Sequence, residues 1–87
     1  MVKEITTASG FTCEIDEAAM NDMELLEALR DIDNGNPTRF SDVLTMLIGD
    51  QKKALYDFVR NEAGRVPVDA VSDILKEIFS AYSSLKK

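Results

Sequence analysis

Three breaks divide an otherwise apolar-periodic chain: Asn34-Gly35-Asn36-Pro37, Ile48-Gly49-Asp50 and Ala63-Gly64-Arg65-Val66-Pro67. Glycine adopts the left-handed conformation that ends helices, and proline fits a first helical turn, where its missing N–H costs nothing. Between the breaks apolar residues recur three and four positions apart, the period of an amphipathic helix. Connections this short join neighbours that are antiparallel or steeply crossed. The chain is therefore expected to form a mainly α, four-helix compact domain.

The spacing predicts a first helix over 22–34, with Asn21 as cap, Glu24 in the third helical position and Leu25, Leu26, Leu29 and Ile32 on one stripe. Asp16 to Met20 can add a preceding turn. A second helix over 37–48 starts from Asn36 and Pro37, carries Phe40, Val43, Leu44, Leu47 and Ile48, and stops at Gly49. Its apolar density places it at the centre of the core. A third, over 51–63, starts from Asp50, aligns Ala54, Leu55, Phe58 and Val59, and ends at Gly64. The last, over 67–84, sets Val68, Val71, Leu75, Ile78, Tyr82 and Leu85 at heptad spacing, and Ile74, Phe79 and Ala81 widen that stripe. A helix apolar over so much of its circumference lies deep in the core or offers one side to another molecule.

The first fifteen residues read differently. Ile5-Thr6-Thr7 is a β-favouring run, Ser9-Gly10 offers a turn, and Phe11, Cys13 and Ile15 lie two apart, on one face of a strand. A short β-hairpin over 1–15 follows, its apolar face packed on helices because two strands alone are barely stable in water. With 87 residues there is room for a single domain over 1–87. So small a chain buries a modest share of its surface, which makes association, including a homo-oligomer, an open expectation.

Composition excludes several functions. No histidine and one cysteine leave no donor set for zinc and no His-dependent triad. Asp31-Ile32-Asp33-Asn34-Gly35 has the acid spacing of a calcium loop, but Gly35 and Asn36 stand where the loop needs Asp or Asn and then glycine, and Asp42 replaces the closing glutamate. Gly64-Arg65 is no phosphate loop. Neither an enzymatic role, a metal nor a cofactor is expected. Cys13 has Glu14 beside it and no cationic neighbour, so it reads as a buried, neutral thiol.

Charge is uneven: residues 14–33 carry eight acids against Arg30 alone, and the whole chain has a net charge of −6. Direct nucleic-acid binding is not expected from such a balance. No apolar run approaches the length of a membrane span, and Lys3 and Glu4 interrupt the only stretch where a secretory leader would lie, so the cytoplasm is the expected setting. The remaining function is protein binding. Tyr56 lies off its helix's apolar stripe, Tyr82 and Leu85 lie near the chain end, and Met20 and Met23 are adaptable side chains ahead of the first helix; these five are the candidate partner contacts.

The β-prone start, Asp22-Met23-Glu24-Leu25-Leu26, the proline-started second helix, and Gly64-Arg65-Val66-Pro67 leading to Ile74-Leu75-Lys76-Glu77-Ile78 make up a layout that resembles the tail assembly chaperones of long-tailed, siphovirus-like bacteriophages and prophages. The resemblance runs over residues 11 to 87. It implies a protein of the host cytoplasm that binds the tape-measure protein, a very long helical protein, and helps recruit tail-tube subunits to it. It also implies a longer, frameshifted product, for which Lys86-Lys87 is what an A-rich slippery site would encode. Two other classes compete. A small acidic helical regulator or nucleic-acid mimic would use the acidic stretch to hold a basic protein. A carrier protein would need a modifiable serine at a helix start, usually in Asp-Ser-Leu, whereas Ser41-Asp42 and Ser72-Asp73 reverse that order.

Overall fold

The computed structural model describes residues 2–85, with the side chains of 2–84. Strands β1 (Val2–Thr6) and β2 (Thr12–Asp16) lead through a 3-10 turn (Glu17–Asn21) into helices α1 (Met23–Asp33), α2 (Arg39–Ile48), α3 (Lys52–Val59) and α4 (Val68–Leu85). A second 3-10 turn, Gly49–Gln51, joins α2 to α3. The protein is thus mainly α with an N-terminal β-hairpin. Its radius of gyration is 12.4 Å, against about 12 Å for one compact domain of this length. None of the described helices is long and apolar enough to cross a membrane.

The hairpin is antiparallel, with Ile5 opposite Cys13 and Lys3 opposite Ile15. Alternation sends Ile5, Cys13 and Ile15 into the core and leaves Glu4 and Glu14 in water; Lys3, on the core-side face opposite Ile15, is exposed near the start of β1. Thr7 closes the turn from inside: its hydroxyl accepts from the Phe11 N–H at 3.0 Å. Cys13 is buried, and desolvation pushes its thiol pKa up. The turn is tied to α4 by Ser9, whose N–H and hydroxyl donate to the two oxygens of Glu77 at 2.9 and 2.7 Å. On the other side Gln51 acts as a short length of strand. Its amide accepts from the Glu14 N–H and donates to the Glu14 carbonyl, at 2.8 and 2.6 Å.

Helix α2 is the hub, in contact with β2, the first 3-10 turn, α1, α3 and α4. Val43, Leu44, Leu47 and Ile48 are all buried. It ends at Gly49, whose φ of +55° is disfavoured for residues that carry a Cβ. Lys52 then binds back onto α2 through the Ser41 and Thr45 hydroxyls, at 3.0 and 2.9 Å.

Helix boundaries depart from the sequence expectation at the starts of α1 and α2 and at both ends of α3, which begins at Lys52 and not from Asp50 as cap, because Asp50 lies inside the 3-10 turn Gly49–Gln51. The cap of α1 is Asp22 rather than Asn21, its carboxylate accepting from the Glu24 N–H at 2.8 Å. Asn21 is instead consumed by the preceding 3-10 turn. Helix α2 begins two residues after Pro37, because Asn36, Pro37 and Thr38 form a separate turn in which the Thr38 hydroxyl donates to the Asn36 side chain at 2.6 Å. The largest departure is α3, which stops at Val59 instead of residue 63. Asn61 is the cause: its side-chain oxygen accepts from the N–H groups of Ala63 and Arg65, a local alternative to helical hydrogen bonding. Gly64, with φ +79°, closes that loop and not the helix. Arg60 braces it from outside, donating to the Gly64 carbonyl and to Asp57.

Candidate functional site: an apolar groove beside α4

The four helices do not close completely around the core. Between α1, the first turn of α2, and α4 an open cleft of about 250 Å³ is walled by Leu29, Ile32 and Asp33 on one side and Ser72, Leu75, Lys76 and Phe79 on the other, over Phe40. Across Phe40 a second cleft, of about 260 Å³, is lined by Pro37, Tyr56, Val66, Val68 and Val71. The shared phenylalanine joins them into one apolar surface.

Local sequence explains the opening. Positions Val68, Ser72, Leu75 and Phe79 of α4 follow a 4, 3, 4 spacing, one flank of the widened stripe. The other flank, Val71, Ile74, Ile78 and Tyr82, fills the core. One helix thus carries an apolar face broader than the chain covers: Leu75 is buried, Ser72 and Phe79 are half-buried, and Val68 is exposed. On α1 the equivalent division falls between Leu25 and Ala28, which are buried, and Leu29 and Ile32, which are half-buried. Leu26, one turn before Leu29 and two before Asp33, extends the same wall and is 52% exposed. It was expected on the buried stripe; Ala28, which is fully buried, takes that place.

The candidate contacts fall apart into different environments. Tyr56 lines the second cleft. Met23 is 66% exposed, one turn before Leu26 and in line with the α1 wall. Met20 is half-buried against the core. Tyr82 is a core residue, only 8% exposed, and in this conformation its ring has no face for a partner. Its hydroxyl donates to Glu17 over a long 3.4 Å, and burial, then the Glu17 charge, push the phenol pKa up. The side chain of Leu85, and Lys86-Lys87 with it, lie outside the described residues. Leu29, Ile32, Phe40, Leu75 and Phe79 were read from sequence as core; Leu75 is buried there, and the other four pack half-buried against the core while also lining the cleft. The surplus apolar width of α4 was the signal that one of its flanks faces outward.

The opposite flank of α1 is polar. There Glu24, Glu27, Asp42 and Thr45 surround Arg39. Arg39 pairs with Asp42 at 2.6 Å and lies 3.2 Å from Asp31, in the latter case off the N–H direction, so that contact is Coulombic and not a hydrogen bond. The cation links the end of α1 to the start of α2. Among the described residues no three acids, cysteines or histidines converge as a metal site would require.

What the arrangement can do chemically is bury apolar side chains. It defines a small helical domain with an open hydrophobic groove, the geometry that accepts an amphipathic helix. Compared with protein-family models, curated proteins and solved structures, the chain matches none.

Proposed function

We propose that this protein is an assembly chaperone that shields a helical segment of a long partner in the groove beside α4, and, with the sequence resemblance, that the partner is a phage tape-measure protein to which tail-tube subunits are then recruited. The observation that carries the reading is the apolar surface running from Leu29 and Phe79 over Phe40 to Tyr56 and Val68. A long helical protein exposes apolar seams before it assembles, and a groove of half-buried side chains covers such a seam reversibly. Two apolar anchors, one per cleft, are enough for a working affinity, since a few buried side chains dominate most interfaces.

Co-expression tests it. The wild-type chain should keep the tape-measure protein soluble and co-purify with it. Phe79→Ser on the groove wall should reduce capture at least tenfold. Leu26→Ser, at a position too exposed to hold the core, should weaken capture severalfold without moving the melting temperature. If the tape-measure protein stays insoluble beside the wild-type chain, the proposal fails.

A further inference from the structure

We infer that the free edge of β1 takes up an extended segment of a partner protein as an added strand, antiparallel to β1 and reading apolar, basic, acidic from its N-terminal side. The hydrogen-bond pattern of the hairpin carries this. Glu14 donates its single N–H to Gln51, so that N–H is not spent on Glu4, the residue directly opposite in β1. Glu4 and Glu14 are thus a non-hydrogen-bonded pair, and the ladder bonds fall at Ile5 with Cys13 and at Lys3 with Ile15. The Thr7 N–H, bonded to the Phe11 carbonyl at 2.8 Å, keeps the same alternation. The Thr6 and Thr12 hydroxyls, 3.1 Å apart, sit where the side chains of a non-bonded pair come closest. The N–H and C=O of Glu4 and Thr6 therefore point away from β2, and both residues are exposed. On the β2 edge Gln51 stands in for a neighbouring strand; among the described residues no group does so on the β1 edge. Such an edge is a template for one more strand.

Side chains choose the strand. Directly opposite residues share a face, so Glu4 and Glu14 stand side by side on the solvent face, and none of the salt bridges among the described residues reaches either. Like charges so placed repel, and a cation opposite Glu4 on the added strand relieves the pair. On the other face Ile5 favours an apolar neighbour and the exposed Lys3 an acid. Antiparallel to β1, these three positions read apolar, basic, acidic. A second copy of this chain cannot supply them. Its outward residues are Val2, Glu4 and Thr6, which leaves valine, glutamate or threonine opposite Glu4, while its Lys3 turns its backbone toward its own β2. Lys3 and Glu4 on the edge also turn away strands that lack the matching charges.

The test uses the full isotope-labelled chain and peptides of about seven residues, a typical strand length, centred on Val-Lys-Glu and flanked by threonine. One variant peptide carries an N-methyl group on the lysine amide, which removes the N–H that donates to the Glu4 carbonyl. A second carries it on the valine amide, which faces away from β1. A third exchanges the lysine and the glutamate. Affinity and location are read by NMR. The parent peptide should slow the exchange of the Glu4 and Thr6 amides with solvent. Methylation at lysine should weaken binding at least about tenfold and methylation at valine less than about twofold. The exchanged peptide should bind about two- to fivefold less tightly than the parent. Lys3→Glu with Glu4→Lys, both at exposed positions, should reverse that last preference.

No binding by any peptide up to about 1 mM overturns the inference. Equal losses from the two methylations, or peptide-induced shifts at the Leu29 and Ile32 methyls in place of the β1 amides, overturn it by moving the contact off the edge. Equal affinity for the parent and exchanged peptides overturns the strand's charge pattern. Concentration-dependent protection of the Glu4 amide in the chain alone would make a second copy the occupant and also overturn the inference. The groove beside α4 is untouched by each of these results except methyl shifts at Leu29 and Ile32, which would support it.

Discussion

Truncating Leu55 to alanine should cost this protein a large part of its stability, because it is the one fully buried side chain by which α3 enters the core, beside the Lys52 contacts to α2, the Phe58 ring on Phe11 and the half-buried Tyr56 and Val59. The helix spans eight residues, too few to persist alone in water. Leu55 is its single fully buried side chain, at 0% exposure, while Ala54 and Phe58 are exposed and Tyr56 and Val59 are half-buried. Leucine to alanine removes three carbons, about 2.4 kcal/mol of transfer free energy at ~0.8 per carbon. A residual void of ~40 Å³ adds about 1 kcal/mol, giving about 3 in total. A domain of this length is stable by roughly 4 to 13 kcal/mol. The melting temperature should fall by roughly 12 to 24 °C, read by far-ultraviolet circular dichroism and checked by urea titration. Leu55→Met, which keeps the volume, should lose less than about 1.5 kcal/mol. A loss below about 1 kcal/mol for the alanine variant would mean that α3 is not anchored through Leu55, and that the cleft lined by Tyr56 is held in some other way.

Three further outcomes follow from individual contacts. The Ser9 hydroxyl, then the Ser9 N–H, hold the Glu77 pKa below its ordinary value of 4.5, with desolvation opposing and the Thr7 hydroxyl assisting. A depressed carboxylate stabilises the fold above the unfolded-state pKa and stops doing so as pH falls through the folded one. The melting-temperature gap between wild type and Glu77→Gln should therefore be largest near neutrality and close as the pH falls below the ordinary carboxylate range; a gap independent of pH would contradict the contact. Gly64→Ala should cost about 1 to 2 kcal/mol from its φ of +79° alone, since no atom lies within 4 Å of an added Cβ; an unchanged urea midpoint would mean the loop relaxes. Tyr82→Ala should destabilise by roughly 3 kcal/mol, as a core aromatic does, and a surface-like loss under ~0.5 would return Tyr82 to the candidate contacts.

Four helices and a hairpin were legible because each rests on a local signal. Gly49 needs a positive φ, and the alternation of Phe11, Cys13 and Ile15 admits one buried face. The end of α3 was not legible in the same way. Gly64 looks like a helix stop, but Asn61 intervenes three residues earlier with a side chain that competes for backbone N–H groups, and nothing in the apolar period registers that. The groove was half legible. Sequence shows that α4 is apolar over too much of its girth, yet which flank is covered depends on how α1 and the hairpin pack, a tertiary matter. Hence Tyr82, near the chain end, was taken for surface, while the half-buried Phe79 beside it in sequence faces the groove.

The most direct test of the central claim is methyl NMR of the isotope-labelled chain with the tape-measure protein added in soluble fragments. Binding in the groove predicts that the Leu26, Leu29, Ile32 and Leu75 methyls shift together, with Val68 at the far end, while Leu47 and Leu55, deep in the core, stay in place. Shifts confined to residues around Glu24, Glu27, Asp42 and Met46 would move the contact to the acidic flank of α1 and contradict the account.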